Sequence, residues 1–452
     1  MRYFVAAILM GATLTAQTTP PIDDTTRAAL ADRVDGGHTV GVAIGLVTAA
    51  GRAFATHGSI AKGRPAPGKD TVFEIGSITK VFTALLLADM IERGEVALDD
   101  PVSKYLPSSV TVPSRNGRAI TLADLTTHTS GLPRLPTNID AKSLDNPYAA
   151  YDVTKLYAFL SSYQLTRDPG AQWEYSNLGG GLLGHVLTLR AGMTYEQLVK
   201  TRILEPLGMT STSITLTTGQ RQRLATAHDE TLSPVGLWDL NVLAGAGALR
   251  STADDLLTFA AANAGLIDTP LKNAMERMRA FRRPTATPGM RQAMGWLTLN
   301  TGAFEVFLHD GGTHGFRSAI FVDPASKRAA VAWTNAPLDV TDLAGHLLAQ
   351  QTPLRMLGPA RVAVHLDEEM LASYVGTYQL APAVSFEITR DGDRMFAQLT
   401  GQSRLEIFPE KKDEFFLRIV PAQISFARDD SGKIVALVLH QNGRDQRAQR
   451  VR

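Results

Sequence analysis

The chain has 452 residues, 44% of them hydrophobic and 20% charged, with 38 glycines and 23 prolines; this is ordinary globular usage, enough for a buried core and for two or three domains. Lys and Arg total 45 against 44 Asp and Glu, a net charge of +1, and no long like-charge block occurs, which argues against nucleic acid or an anionic membrane surface as the main partner. Cysteine is absent, so disulfides, thiolate-held zinc and thiol catalysis are excluded together.

In chain order, Met1-Arg2 give a positive start and Tyr3 to Leu14 an apolar run that ends near Thr15-Ala16-Gln17. This pattern predicts a secretory signal over residues 1–16 and export to the periplasm or beyond. The run is shorter than the ~20 apolar residues a transmembrane helix needs, and no later stretch reaches that length. Thr18-Thr19-Pro20-Pro21 reads as a linker. A helix is expected from Ile22 to Val34, then a half-buried strand on the alternation of Val40, Val42, Ile44 and Leu46, and a return strand from Arg52 to Thr56. Thr79 to Glu92 reads as a helix, apolar nearly all round and therefore buried, with Gly94 as its stop. From about Thr121 to Ala262 helical periodicity dominates. Strand patterns return at 304–308, Ala319 to Val322 and Ala329 to Trp333, and a helical stretch follows from Val340 to Ala349. The expected fold class is α+β: one antiparallel sheet flanked by helices, with a helical lobe inserted between its halves, over residues 17–358. Beyond Gly358-Pro359, runs such as Val384 to Thr389, Arg394 to Leu399 and Ile434 to Leu439 alternate with polar turns, which predicts a small antiparallel barrel over 359–452.

For chemistry, no G-x-S-x-G elbow and no H-E-x-x-H occurs, which removes the α/β-hydrolase and helical zinc-hydrolase readings. Ser77-Ile78-Thr79-Lys80 is an S-x-x-K pattern at the start of a buried helix. Residues three apart share a helix face, so Lys80 can reach the Ser77 hydroxyl. Free N–H groups at the helix start favour a developing anion there, and burial lowers the lysine's pKa toward a range in which it accepts a proton. The bland reading of the same four residues is an N-cap serine beside a solvated lysine. A second match, Ser59-Ile60-Ala61-Lys62, is followed by Gly63, Pro65 and Pro67, where no helix is expected to start. Two further segments strengthen the reading at Ser77. Trp173-Glu174-Tyr175-Ser176-Asn177 follows the turn Asp168-Pro169-Gly170. His309-Asp310-Gly311-Gly312-Thr313-His314-Gly315 ends a strand, and its glycines are expected to let a ligand approach the sheet edge.

Taken in order, the three motifs resemble those of the serine β-lactamase and penicillin-binding-protein superfamily, and more closely its class C, D-aminopeptidase and esterase branch. Leu125 to Pro133, Glu205 to Met209 and Gly247 to Leu256 fit the same branch, so the resemblance covers roughly Val40 to Leu348. The closing segment, with Tyr374-Val375-Gly376-Thr377-Tyr378, looks like the lipocalin-like barrel appended to many such hydrolases. The resemblance implies Ser77 as acylated nucleophile, Lys80 as its proton acceptor, Tyr175 as general acid/base partner and Asn177 as the amide that positions substrate and lysine. It places His309, Gly311, Gly312 and Thr313 along the substrate, with the backbone N–H groups of Ser77 and Gly312 as the oxyanion hole. His309 stands where β-lactam-processing relatives carry lysine. A neutral imidazole holds a substrate carboxylate less well, which favours a peptidase or esterase over a β-lactamase and leaves Arg317 as a candidate replacement charge. A non-catalytic binder of penicillin or wall fragments on the same fold is the rival from another class. The expected partner is a small-molecule or peptide substrate, including cell-wall fragments; no metal or organic cofactor is called for, and the barrel offers a surface through which copies could assemble.

Several features are decoys. Gly179-Gly180-Gly181-Leu182-Leu183-Gly184 fits G-x-G-x-x-G without a preceding strand and reads as a tight helix start rather than a dinucleotide site. His309, Asp310 and His314 are poorly directed for zinc. His128 and His185 read as hydrogen-bonded structural histidines, Glu174 as a rim or structural residue at least as readily as a proton-transfer group, and Trp173 equally as pocket wall or packing.

Overall fold

The computed structural model describes residues 22–139, 146–300, 305–402, 404–418, 420, 422–441 and 443–451; the expected signal segment lies outside them. Two compact units emerge, one formed by residues up to 35 with 39–356, the other by 36–38 with 357–452.

The first unit is built on an eight-stranded, wholly antiparallel sheet. Its strands are β1 (Gly41–Thr48), β2 (Gly51–Gly58), β3 (Arg282–Pro284), β4 (Met290–Ala293), β5 (Leu297–Asn300), β6 (Glu305–Gly312), β7 (Arg317–Asp323) and β8 (Arg328–Thr334), in the order β2-β1-β8-β7-β6-β5-β4-β3. Helices α1 (Asp24–Asp35) and α5 (Thr341–Leu348) cover one face; α2 (Thr79–Glu92), α4 (Ala253–Asn263) and the helical region containing α3 (Asn177–Ala191) cover the other. The α+β architecture read from the sequence is therefore the one observed.

One reading of a strand needs correction. The alternation in β1 is not buried against exposed but large against small. Val42, Ile44 and Leu46 enter the core under α1 and α5, while Gly41, Ala43 and Gly45 face the other side and are equally buried. A Cβ at Gly45 would come within 2.7 Å of Leu257 on α4, so small residues there let a helix lie close to a sheet covered on both faces. Strands β3 to β5 were not anticipated: they are short and polar, and Pro284 sits on the outermost one, where a missing N–H is tolerated. Helix α2 spans the range expected, and Thr79 to Met90 are all buried in it.

The second unit is a closed barrel of eight antiparallel strands, Gly376–Ala381, Val384–Asp391, Arg394–Leu399, Leu405–Lys411, Glu414–Phe416, Ala422–Arg428, Ile434–Gln441 and Arg444–Arg450. The first and last strands pair through Tyr378 with Arg450 and Gln379 with Gln449, which closes the ring and leaves no sheet edge. Neither of these two strands was read from the sequence.

Candidate active site

The chain enters α2 through a 3-10 turn, Gly76–Ile78. Gly76 has φ +51, and a Cβ on it would sit 2.6 Å from Gly312 N; only glycine accepts that backbone and that approach. Pairing of β5 with β6 ends at Leu297–Leu308, whereas β7 stays paired to β6 as far as Gly312–Arg317. The stretch His309 to Gly312 thus has one free edge, and the Ser77 turn lies against it. The glycines of this motif serve the protein's own backbone, contrary to the expectation of ligand approach at Gly311: a Cβ there would meet Ile75 O at 2.0 Å and Ser318 Oγ at 2.4 Å. Ser318 Oγ donates to that same carbonyl at 2.9 Å.

Lys80, only 4% exposed, donates to three acceptors: Ser77 Oγ at 2.9 Å, Asn177 Oδ1 at 2.9 Å and the Ala246 carbonyl at 2.7 Å. The ammonium's three protons are thereby satisfied. Even so, burial holds its pKa well below the usual lysine value, with the positive charge of Arg134 acting in the same direction and Asp310 opposing. The glycine run of α3 explains how the lysine fits. A Cβ at Gly180 would come within 3.0 Å of Lys80 Cε, at Gly181 within 2.6 Å of Leu243, and at Gly184 within 2.8 Å of Gly245 Cα. These glycines let α3 lie directly on the lysine and on the Asn241–Ala246 turn, so the run is a packing device.

Tyr175 precedes α3, whose N-cap Ser176 accepts from Gly179 N. Burial raises the phenol's pKa, against the pull of its interaction with Ser77. Lys80 Nζ stands 4.9 Å from the ring centroid. Two imidazoles flank the same ring, His128 at 4.5 Å and His309 at 6.4 Å between centroids. Their anchors assign opposite tautomers. Ser176 N–H donates to His128 Nδ1 at 3.2 Å, which leaves the His128 proton on Nε2. His309 Nδ1 lies 2.6 Å from the Asp310 carbonyl, which can only accept, so His309 carries its proton on Nδ1. Burial depresses both pKa values, His128 well below normal, and both rings are neutral at pH 7.

Ser77, Lys80, Tyr175, Asn177, His309, Gly311 and Gly312 therefore come together. Thr313 is buried, and its side chain interacts with Glu74. Glu74, 4% exposed, has its pKa raised by burial despite Arg250 at 3.3 Å and an N–H from Trp238 at 2.9 Å. Arg317 is held by the Thr313 and Phe316 carbonyls at 2.7 and 2.9 Å. Ser59 and Lys62 lie outside any helix, and Lys62 is exposed. Glu174 pairs with Arg167 on the rim, Trp173 Nε1 donates to Gln292 at 3.1 Å, and His185 meets Tyr157 OH at 2.8 Å. Sequence reasoning did not single out Arg134, whose guanidinium lies 5.1 Å from the Tyr175 ring centroid, or Tyr148, whose hydroxyl accepts from Asn177 Nδ2 at 3.4 Å. Arg134 directly follows the Leu125 to Pro133 segment; Tyr148 carries no motif at all.

The family model described as Beta-lactamase matches residues 26–351. The chain belongs to the β-lactamase family of serine hydrolases. It is 31% identical over 321 residues to the D-alanyl-D-alanine-carboxypeptidase/endopeptidase AmpH of Escherichia coli, covering 67% of this chain and 81% of that protein. A penicillin-binding protein of Bacillus subtilis is 26% identical over 415 residues, 85% of this chain and 88% of the relative. Among solved structures, a class C β-lactamase from Rhodobacter sphaeroides superposes with a TM-score of 0.62 at 25% identity, over 73% of this chain and 98% of that one. A second family model, described as a domain of unknown function, DUF3471, matches residues 360–450.

Proposed function

We propose that Ser77 is the acylated nucleophile of an amide-, peptide- or ester-cleaving hydrolase, with Lys80 and Tyr175 as its proton-transfer pair. The observation that carries this reading is the 2.9 Å contact from a buried, pKa-depressed Lys80 to Ser77 Oγ. Lys80 in its neutral form takes the Ser77 proton as Oγ attacks the carbonyl carbon; Asn177 and the Ala246 carbonyl keep the amine aimed. The oxyanion settles between the N–H groups of Ser77 and Gly312. Tyr175, kept protonated by its surroundings, hands its proton to the departing amine or alkoxide and is reprotonated from Lys80. Water then attacks the acyl carbon with the same groups working in reverse, releasing the acid and restoring Ser77. Peptides with a D-alanyl terminus, as in the name of the E. coli relative, and small esters are the first substrates to try, with β-lactams second because His309 is neutral. The N-terminal sixteen residues support export, which would bring the enzyme to cell-wall fragments.

Intact-mass spectrometry seconds after mixing with a p-nitrophenyl ester tests this directly. An acyl increment on the wild type and none on Ser77→Ala is expected. Equal adducts on both proteins would reject Ser77 as nucleophile. An adduct that persists for hours without turnover would favour the wall-fragment binder.

A further inference from the structure

The charges at the mouth of the site are unevenly placed. Lys80 is buried and its three protons are taken. Arg317 is half-buried and committed to two carbonyls. His309 is neutral, and next to it Asp310 is exposed and negative. Arg134 is exposed, over the face of Tyr175, and with no carboxylate among the described residues in ion-pair range. Its backbone is fixed, because the Arg134 carbonyl accepts from Asn177 N at 3.0 Å and Leu178 N at 3.2 Å, the first turn of α3. The guanidinium over the Tyr175 ring is thus carried on backbone tethered to the helix that holds Asn177.

On the reading of Ser77 and Tyr175 given above, Tyr175 protonates the leaving group, so a cation over its ring lies on the leaving-group side. We propose that Arg134 is a specificity-determining residue that selects substrates whose leaving group carries a carboxylate, such as a peptide cleaved at its C-terminal residue. Asp310 repels that carboxylate from the third-motif end of the cleft, and Arg134 takes the anchoring role that a lysine at position 309 would have had. A guanidinium holds a carboxylate through two parallel N–H donors, and the contact lies well inside the ~8–10 Å screening length of physiological salt.

The test is a matched pair of phenylacetylglycyl esters, one of 3-hydroxybenzoate and one of 3-hydroxybenzamide, whose leaving groups differ in charge. Wild type is expected to favour the benzoate ester in kcat/KM. Arg134→Gln lowers that preference about tenfold or more, chiefly through KM, and Arg134→Lys restores part of it. A preference unchanged within twofold in Arg134→Gln, or absent from the wild type, overturns the assignment while leaving the hydrolase reading intact. If the wild type cleaves neither ester, the hydrolase reading fails, and ligand-observed NMR affinities for 3-acetamidobenzoate and 3-acetamidobenzamide decide about Arg134 separately. Tighter benzoate binding that is lost in Arg134→Gln upholds the anion site; equal affinities reject it.

Discussion

The two units treat buried polarity in opposite ways. In the barrel every buried residue among those described is apolar or aromatic, and Tyr374, Tyr378, Phe415 and Phe426 fill it with ring contacts of 4.7 to 5.5 Å. Several of its arginines lie over rings, as Arg404 does over Phe396 at 3.6 Å and Arg428 over Tyr374 at 5.7 Å. The sheet-and-helix unit instead buries Lys80, Glu74, Arg250, His128 and His309 within a few elements of one another. Burying charge is unfavourable unless it is paired or neutralised. On the reading proposed for Ser77, concentrating it beside one serine is a concession of folding to chemistry, and the barrel shows how the same chain folds without that concession.

Substitutions should divide along this line. The largest effect is expected for Ser77→Ala, a loss on the order of 10⁴-fold or more in kcat/KM, with Ser59→Ala indistinguishable from wild type; steady-state ester hydrolysis reads both. Lys80→Met follows, losing about 10²- to 10⁴-fold, and it carries a stability signature. The folded pKa of Lys80 is lowered, so the unfolded chain binds the extra proton. The penalty on the folded state is complete below the folded pKa and vanishes as pH rises to the ordinary lysine value near 10.5. Melting curves should therefore show the stability of Lys80→Met relative to wild type declining from pH 6 to pH 10. A flat difference would mean the lysine is not desolvated.

Gly311→Ala forces β6 away from the Ile75 carbonyl and shifts Gly312 from Ser77. A loss near 10²-fold in kcat is expected with the fold retained, checked by kinetics beside circular dichroism. In the barrel the order reverses. Phe426→Ala removes a ring from the packed interior and should destabilise that unit by about 3–5 kcal/mol in urea titration, with ester hydrolysis within about twofold of wild type. Smallest of all is deletion of everything after Pro359. The Rhodobacter enzyme is 98% covered by 73% of this chain, so the hydrolase unit has a stand-alone precedent, and small-ester turnover is expected to stay within about twofold.

The sequence was most legible where one local rule governed the outcome. Ser77 and Lys80 stand three apart where a 3-10 turn runs into α2, a helix whose mostly apolar sequence marks it as buried. The strands Val384–Asp391 and Ala422–Arg428 show a two-residue period, burying Phe386 and Ile388 in one and Ala422, Ile424 and Phe426 in the other. It was least legible where partners are remote. Arg444–Arg450 reads Arg-Asp-Gln-Arg-Ala-Gln-Arg, with Ala448 alone buried, and becomes a strand because its neighbours supply hydrogen bonds on both sides. Glu74 joins the site through Trp238, 164 residues away, and Tyr148 through Asn177, 29 residues away, and no motif encodes either contact. The glycines of α3 and β6 were noticed, yet their purpose, close approach of the protein to itself, required the neighbours to be known.

The pairing of β1 with β8 has a consequence for biosynthesis. Val42 meets Thr334 and Val47 meets Ala329, so the N-terminal hairpin leaves the ribosome long before its partner strand exists. At ~5–20 residues per second that interval lasts on the order of tens of seconds, during which one apolar edge of β1 has no mate. The ring of the second unit likewise cannot close until Gln449 and Arg450 have been made. A chain released a few codons early would keep every residue of the Ser77 constellation and still expose two open strand edges, the features that invite aggregation. For such a nonsense variant, recovery of soluble protein is the quantity to watch ahead of turnover number.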